Sequence, residues 1–261
     1  MRNHFGLQKL LINIILMNLV ISILSLDDIQ LNFSRILLKL KCNKTRKYRI
    51  YSSRFLCPNA VSYDTPLPDE VYINGKNTTR RTLYEFNETE NIAVIVWKKK
   101  INTTSSLFCA CSDITEIDLS NFDSSEVTSF HRMFEGCSSL ISVNLTNLDT
   151  SKVNTIYQMF MDCSSLISLD LSNFDSSKIT IMFSAFSGCT SLKSINLNNF
   201  NTSKVTRMEN TFCNCSSLTS LDLSSFDTSK VKYMSSIFSG CSSLTMLNLS
   251  TFDTSELAYN S

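Results

Sequence analysis

The chain has 261 residues, enough for one or two domains, and its net charge of +1 conceals a split. Lys and Arg outnumber Asp and Glu by 14 to 8 over residues 27–110, but the balance reverses to 8 against 15 over 111–261. An acidic carboxyl-terminal part without interleaved aromatic and basic residues excludes nucleic acid as the expected partner, and the short basic stretch KLKCNKTRKYR, Lys39 to Arg49, reads as a solvated loop face.

Residues 1–25 pair Arg2 and Lys9 with an apolar run, Leu10 to Leu24, that ends on Ser25. A positive region, a short apolar run and a small residue predict a secretory signal peptide. The run is short for a membrane span and is interrupted by Asn13 and Asn18, so an uncleaved signal anchor is the lesser alternative. No cysteine follows at a lipobox position and no hydrophobic tail closes the chain, so neither a lipoprotein anchor nor a GPI signal is expected. Nine Asn-x-Ser/Thr sequons, at Asn32, Asn43, Asn77, Asn87, Asn102, Asn144, Asn201, Asn214 and Asn248, are candidate glycosylation sites in an exported chain.

Residues 26–70 form a non-repeat segment, and in an oxidising compartment its Cys42 and Cys57 are the candidate disulfide pair. Ser62–Glu70 (SYDTPLPDE) reads as a turn or linker. Over 71–110 the alternating VYINGKN carries Asn74-Gly75, a hairpin turn signal, and IAVIVW from Ile92 to Trp97 predicts a strand. Ile101 falls on the column of Val127, Val153, Ile179 and Val205, and Phe108 on that of Phe134, Phe160, Phe186 and Phe212. A hairpin plus a degenerate first coil is therefore expected to cap the repeat array, since an open end would leave strand edges bare.

From Cys111 to Cys241 six cysteines recur every 26 residues, and everything between them recurs too. Such a period predicts stacked coils. Leu140, Val143 and Leu145, like Leu218, Leu221 and Leu223, suggest a strand with one face inward. Val127, Phe130, Met133 and Phe134 recur at three- and four-residue spacing and predict one face of a short helix. Between them Phe-Asp-Thr-Ser-Lys, as at Phe226–Lys230, suits a turn and helix N-cap, and the Gly before Cys137, Cys189 and Cys241 suits a tight return. The expected fold is an α/β solenoid, a leucine-rich-repeat-like stack of strand–turn–short-helix coils over 111–261 with an N-terminal β-hairpin cap and a truncated last coil.

The unit, MFEGCSSL at Met133–Leu140 and LDLSSFDTSKV at Leu221–Val231, resembles that of BspA-type leucine-rich repeat surface proteins, including the DUF285 group. The resemblance spans roughly 92–261 and implies a secreted or surface-displayed solenoid with no catalytic residues; members are often discussed as adhesins.

The residues themselves lead the same way. The cysteine ladder reads as inward thiols acting as small hydrophobes. Cys109-x-Cys111 and Cys213-x-Cys215 lack the partners of a metal motif, so neither metal nor cofactor is expected. His131 is the sole histidine beyond the leader and reads as solvated, which leaves no Ser/His or Cys/His constellation and predicts no enzyme. One column stands out, seven residues after each cysteine: Asp118, Asn144, Asp170, Asn196, Asp222 and Asn248. It predicts an outward polar strand face, read either as a ladder that satisfies the exposed sheet or as a ligand surface.

The leading expectation is a non-enzymatic, adhesin-like protein, secreted or at the cell surface, binding an extracellular protein or glycan on that face. The alternative is a structural coat or matrix component that self-associates through exposed repeat ends. A membrane enters only through an uncleaved anchor.

Overall fold

The computed structural model describes residues 33–42, 47–52, 65–81, 83–86 and 88–258, so the signal peptide expected at 1–25 lies outside the described residues. Twelve strands occur among them. In chain order they are β1 (Ser34–Lys41), β2 (Lys47–Tyr48), β3 (Glu70–Ile73), β4 (Lys76–Thr78), β5 (Tyr84–Glu85), β6 (Glu90–Trp97), β7 (Ile114–Asp118), β8 (Ser142–Asn144), β9 (Ser168–Asp170), β10 (Ser194–Asn196), β11 (Ser220–Leu221) and β12 (Met246–Leu247).

The amino-terminal strands and the first two coils share one six-stranded sheet, in the order β4-β3-β6-β1-β7-β8. Strand β1, SRILLKLK, alternates strictly: Ile36, Leu38 and Leu40 are buried, while Arg35, Leu37 and Lys39 lie on the opposite face. It runs antiparallel to β6 (Leu38 opposite Ala93) on one side and antiparallel to β7 (Leu38 opposite Ile117) on the other. The β3–β4 turn places Asn74 at φ 47° and Gly75 at φ 78°, the paired positive values that a two-residue hairpin demands and that Asn-Gly tolerates best. Strands β2 and β5 form a separate antiparallel pair.

Beyond β7 the chain pairs with itself in parallel, at an offset of one repeat: Ile117 with Val143, Leu169 with Ile195, and Leu221 with Leu247. A second parallel ladder of single bridges runs through Ser129, Thr155, Ile181, Arg207 and Tyr233 on the other side of each coil. Between the ladders lies a continuous core. Phe108, Phe134, Phe160, Phe186, Phe212 and Phe238 stack ring on ring with centroids 4.9–6.2 Å apart. Each such aromatic pair contributes roughly 0.5–1.5 kcal/mol beyond the area it buries.

The expected α/β solenoid of strand–turn–short-helix coils does not form. Among the described residues there is no helix; the chain is short strands in small sheets joined by turns. Backbone geometry explains why. In every coil the fifth residue before the cysteine (Ser106, Arg132, Gln158, Ser184, Asn210, Ser236) and the one immediately before it (Ala110, Gly136, Asp162, Gly188, Asn214, Gly240) have positive φ. Two left-handed residues four apart cannot belong to a right-handed helix. The amides are used differently as well. Met133 N–H donates to Phe130 C=O (3.1 Å) and Cys137 N–H to Phe134 C=O (3.0 Å), closing four-residue β-turns. The alternate amides of Phe130, Arg132, Phe134 and Gly136 donate to Thr155, Tyr157, Met159 and Met161 of the next coil at 2.8–3.2 Å. Consecutive β-turns return a side chain to the core at the same spacing that a helix would.

The cysteine ladder sits in this core. The thiols of Cys137, Cys163, Cys189, Cys215 and Cys241 each donate to the carbonyl of the phenylalanine 29 residues earlier, Phe108 through Phe212, at 3.1–3.2 Å. None of these five is cross-linked. Burial pushes the Cys163 and Cys189 thiols well up and that of Cys215 to about 12, so these groups stay protonated and inert.

The disulfide expected between Cys42 and Cys57 is not made. Cys42 is a buried thiol, and Cys57 lies outside the described residues. Among the described residues Cys109 is disulfide-bonded.

Candidate binding face

The column Asp118, Asn144, Asp170, Asn196, Asp222 and Asn248 lies along the outer face of β7 to β10 and just past the inward Leu221 and Leu247 of β11 and β12. Each side chain first serves its own coil. Its Oδ1 accepts the N–H two residues ahead, from Ser120, Thr146, Ser172, Asn198, Ser224 and Ser250 respectively, at 2.8–3.1 Å. These are Asx turns, which stop each strand and start the next bend. The backbone N–H and then the hydroxyl of Ser172 and Ser224 hold the Asp170 and Asp222 carboxyls below their ordinary range.

Along the stack the column alternates acid and amide without exception. Like charges directly opposite on neighbouring strands repel, whereas an amide beside a carboxylate can donate to it. Asn144 Nδ2 donates to Asp118 Oδ1 at 3.0 Å, and the Asn196 side chain likewise stabilises the Asp170 carboxylate. The strands pair in the same dyads, β7 with β8, β9 with β10 and β11 with β12, so the polar face repeats every second coil. In the Asp118–Asn144 dyad both donors reach the same carboxylate oxygen, Oδ1.

At the amino-terminal end the periodic face meets β1. A hollow of about 290 Å³ opens there, lined by Leu37 and Lys39 of β1, Glu116 and Asp118 of β7, and Ser142 and Asn144 of β8. Lys39 and Glu116 are register partners, and Lys39 Nζ reaches Glu116 Oε2 at 2.6 Å. The pairing of β1 with β7 shifts register between Lys39 and Leu40, which bends the strand beside this hollow.

A second stripe lies on the other ladder, and the expectation of a helix there concealed it. His131, Tyr157 and Phe183 stack with centroids 4.7 and 5.0 Å apart, nearly parallel. Arg207 continues the column, its guanidinium 5.3 Å from the Phe183 centroid and 5.6 Å from that of Tyr233. Glu209 anchors it through Oε1 at 2.6 Å, and its own Oε2 is buried with no hydrogen-bond partner. His131 is therefore half-buried and stacked rather than solvated; burial, and then the Arg132 charge, push its pKa down to about 4, so the ring is neutral. Both faces of Tyr157 and Phe183 are covered by their neighbours, which makes the stripe a packing element. The signal was present as His, Tyr and Phe six residues before Cys137, Cys163 and Cys189, but a single-column reading at helical spacing hid it.

Six sequons fall within the described residues, at Asn77, Asn102, Asn144, Asn201, Asn214 and Asn248, and all six are exposed. Asn32, Asn43 and Asn87 lie outside the described residues. Among the described residues no group of three or more His, Cys, Asp or Glu side chains converges as a metal cluster would.

The fold and face together define a repeat protein built of 26-residue β coils stacked in parallel register behind an antiparallel sheet. The chain belongs to the family described as "Mycoplasma protein of unknown function, DUF285", whose family model matches residues 79–195 and again 167–261. No curated protein and no solved structure matches it.

Proposed function

We propose that this is a non-enzymatic interaction protein, secreted or displayed at the cell surface, that binds an extracellular protein or glycan in the manner of an adhesin. The observation that carries the reading is the exposed column of alternating carboxylates and amides along one face of a rigid stack, each held in place by its own turn. Side chains fixed in this way lose little freedom on binding, and repetition adds weak contacts by multivalency. The signal-like leader and the likeness of the repeat unit to BspA-type leucine-rich repeat surface proteins point in the same direction.

The triple variant D118N/D170N/D222N tests it. The amide keeps the acceptor that closes each turn but removes the charge. On arrays of matrix proteins and glycans the triple variant should lose the wild-type signal while its melting temperature holds. Unchanged binding would move the site off this face.

A structural coat component that self-associates through a repeat end is the second reading. Met246 is 68 % exposed and Leu249 42 % exposed at the last described coil, beside half-buried Leu247 and Phe252. Sedimentation equilibrium separates the two readings, since a strict monomer at high concentration argues against the coat.

A further inference from the structure

Rungs β8 to β11 each offer an outward Ser followed two residues on by Asn or Asp at the same spacing, so a small ligand has little there to tell one rung from the next. The period breaks where β1 lies antiparallel on β7 and brings Leu37 and Lys39 against Glu116, Asp118, Ser142 and Asn144 around the hollow of about 290 Å³. That volume is near the lower end, roughly 300 Å³, of pockets that hold small molecules. The groups left over after the internal bonds are mostly acceptors. Lys39 is matched to Glu116 Oε2, which leaves Oε1. Asp118 Oδ1 takes the Ser120 amide and the Asn144 side chain, which leaves Oδ2. The Ser142 hydroxyl stands alongside, and Leu37, in register with Asp118, supplies aliphatic surface.

Two carboxylates with Lys39 already paired repel an anion and accept from hydroxyl donors. An aliphatic wall suits the C–H face of a ring. The ligand chemistry that answers all three is a neutral sugar.

We propose that the hollow between β1, β7 and β8 is a saccharide site for one terminal neutral sugar residue, with Glu116 and Asp118 accepting from its hydroxyls. This rests on the reading of the strand face as the binding face and narrows it to one end. Lectin-like recognition of this kind depends on oriented acceptors more than on area, because each hydroxyl left without a partner loses affinity.

The test uses the full chain and a panel of glucose, galactose, mannose and N-acetylglucosamine. Saturation-transfer NMR and calorimetry measure the free sugars, and a printed glycan array presents the same sugars as chain ends. At least one sugar should bind in one format, and the format that works distinguishes a free from an attached ligand. S142Y, which fills the hollow from an exposed strand position, should weaken that binding by at least about tenfold, equivalent to about 1.4 kcal/mol. S220Y, the equivalent position three coils on, should leave it intact. E116Q should weaken it too, and gives an independent answer if S142Y folds poorly. Absence of binding by every sugar in both formats overturns the proposal. Equal loss in S142Y and S220Y overturns the junction site but leaves the strand face as the binding face. Sugar binding that survives all three variants overturns both.

Discussion

At the residue scale, each coil is shaped by two Asx turns and one buried hydroxyl. The second Asx column, Asp123, Asp149, Asp175, Asn201, Asp227 and Asp253, accepts the N–H of the residue two ahead in every coil, at 2.8–3.1 Å. Between Asp and that Ser sits a Ser or Thr whose hydroxyl is buried and joins coil to coil at Thr150, Ser176, Thr202 and Thr228, whereas Ser124 Oγ is buried without a partner. Thr202 donates to Asp227 C=O and accepts from Asp227 N–H, both at 2.8 Å, and Thr228 does the same for Asp253 at 2.9 and 2.6 Å. T202V keeps the shape but strands a buried amide and carbonyl, each of which costs about 1–3 kcal/mol when left unsatisfied. Its unfolding free energy in urea titrations should fall by about 2–3 kcal/mol, whereas T202S, the residue found naturally at Ser176, should cost well under half as much. Equal losses would show that the methyl group, not the hydroxyl, is what matters. The Phe-Asp-Thr-Ser-Lys signature is thus a turn, as its composition suggests, but it does not open a helix.

At the scale of the element, the second half of each coil shows why apolar spacing misleads. Phe130, Met133 and Phe134 are fully buried, as one helical face would be. The same positions are reached by β-turns because Arg132 and Gly136 are left-handed. Only Gly, Asn and Asp before the cysteine gave a sign of that geometry; Arg132, Gln158, Ser184 and Ser236 give none. The turns also free alternate amides for the neighbouring coil, and this builds the ladder that carries the aromatic stripe. Arg207 and Glu209 interrupt the stripe's rings and take their place. Removing Arg207 would leave the buried Glu209 carboxylate unmatched, so R207A should lose about 2–3 kcal/mol, less than a fully buried pair because Arg207 is 42 % exposed. R207A/E209Q should recover most of that loss in thermal melts. A double variant no more stable than R207A would show that the guanidinium acts by stacking on Phe183 and Tyr233 rather than by charge.

For the whole molecule, stability should follow the carboxylates. The hydroxyls of Ser151, Ser177 and Ser229, then their amides, hold Asp149, Asp175 and Asp227 below the usual carboxylate range. Folding therefore lowers these pKa values, and their contribution is complete above the unfolded Asp value of about 3.9 and is lost as pH falls through the lower folded values. The melting temperature should stay level from neutral pH down to about 5 and drop below about 4. D149N/D175N/D227N, which keeps an acceptor in each turn as Asn201 does, should flatten that drop. A wild-type protein equally stable at low pH would contradict this account.

The 26-residue period, the inward cysteines, the Asn74-Gly75 hairpin and the outward Asp/Asn column were legible in the sequence, because each depends on local chemistry repeated at a fixed interval. Tertiary structure alone decided the rest. Strand β1 carries its own period-two signal in Ile36, Leu38 and Leu40, yet nothing local says that it inserts between β6 and β7. That insertion is what brings Lys39 to Glu116, 77 residues away, and opens the hollow. Helix or turn was likewise settled by where the amides go, since a buried N–H bonds whichever carbonyl lies within reach, and here the next coil supplies it.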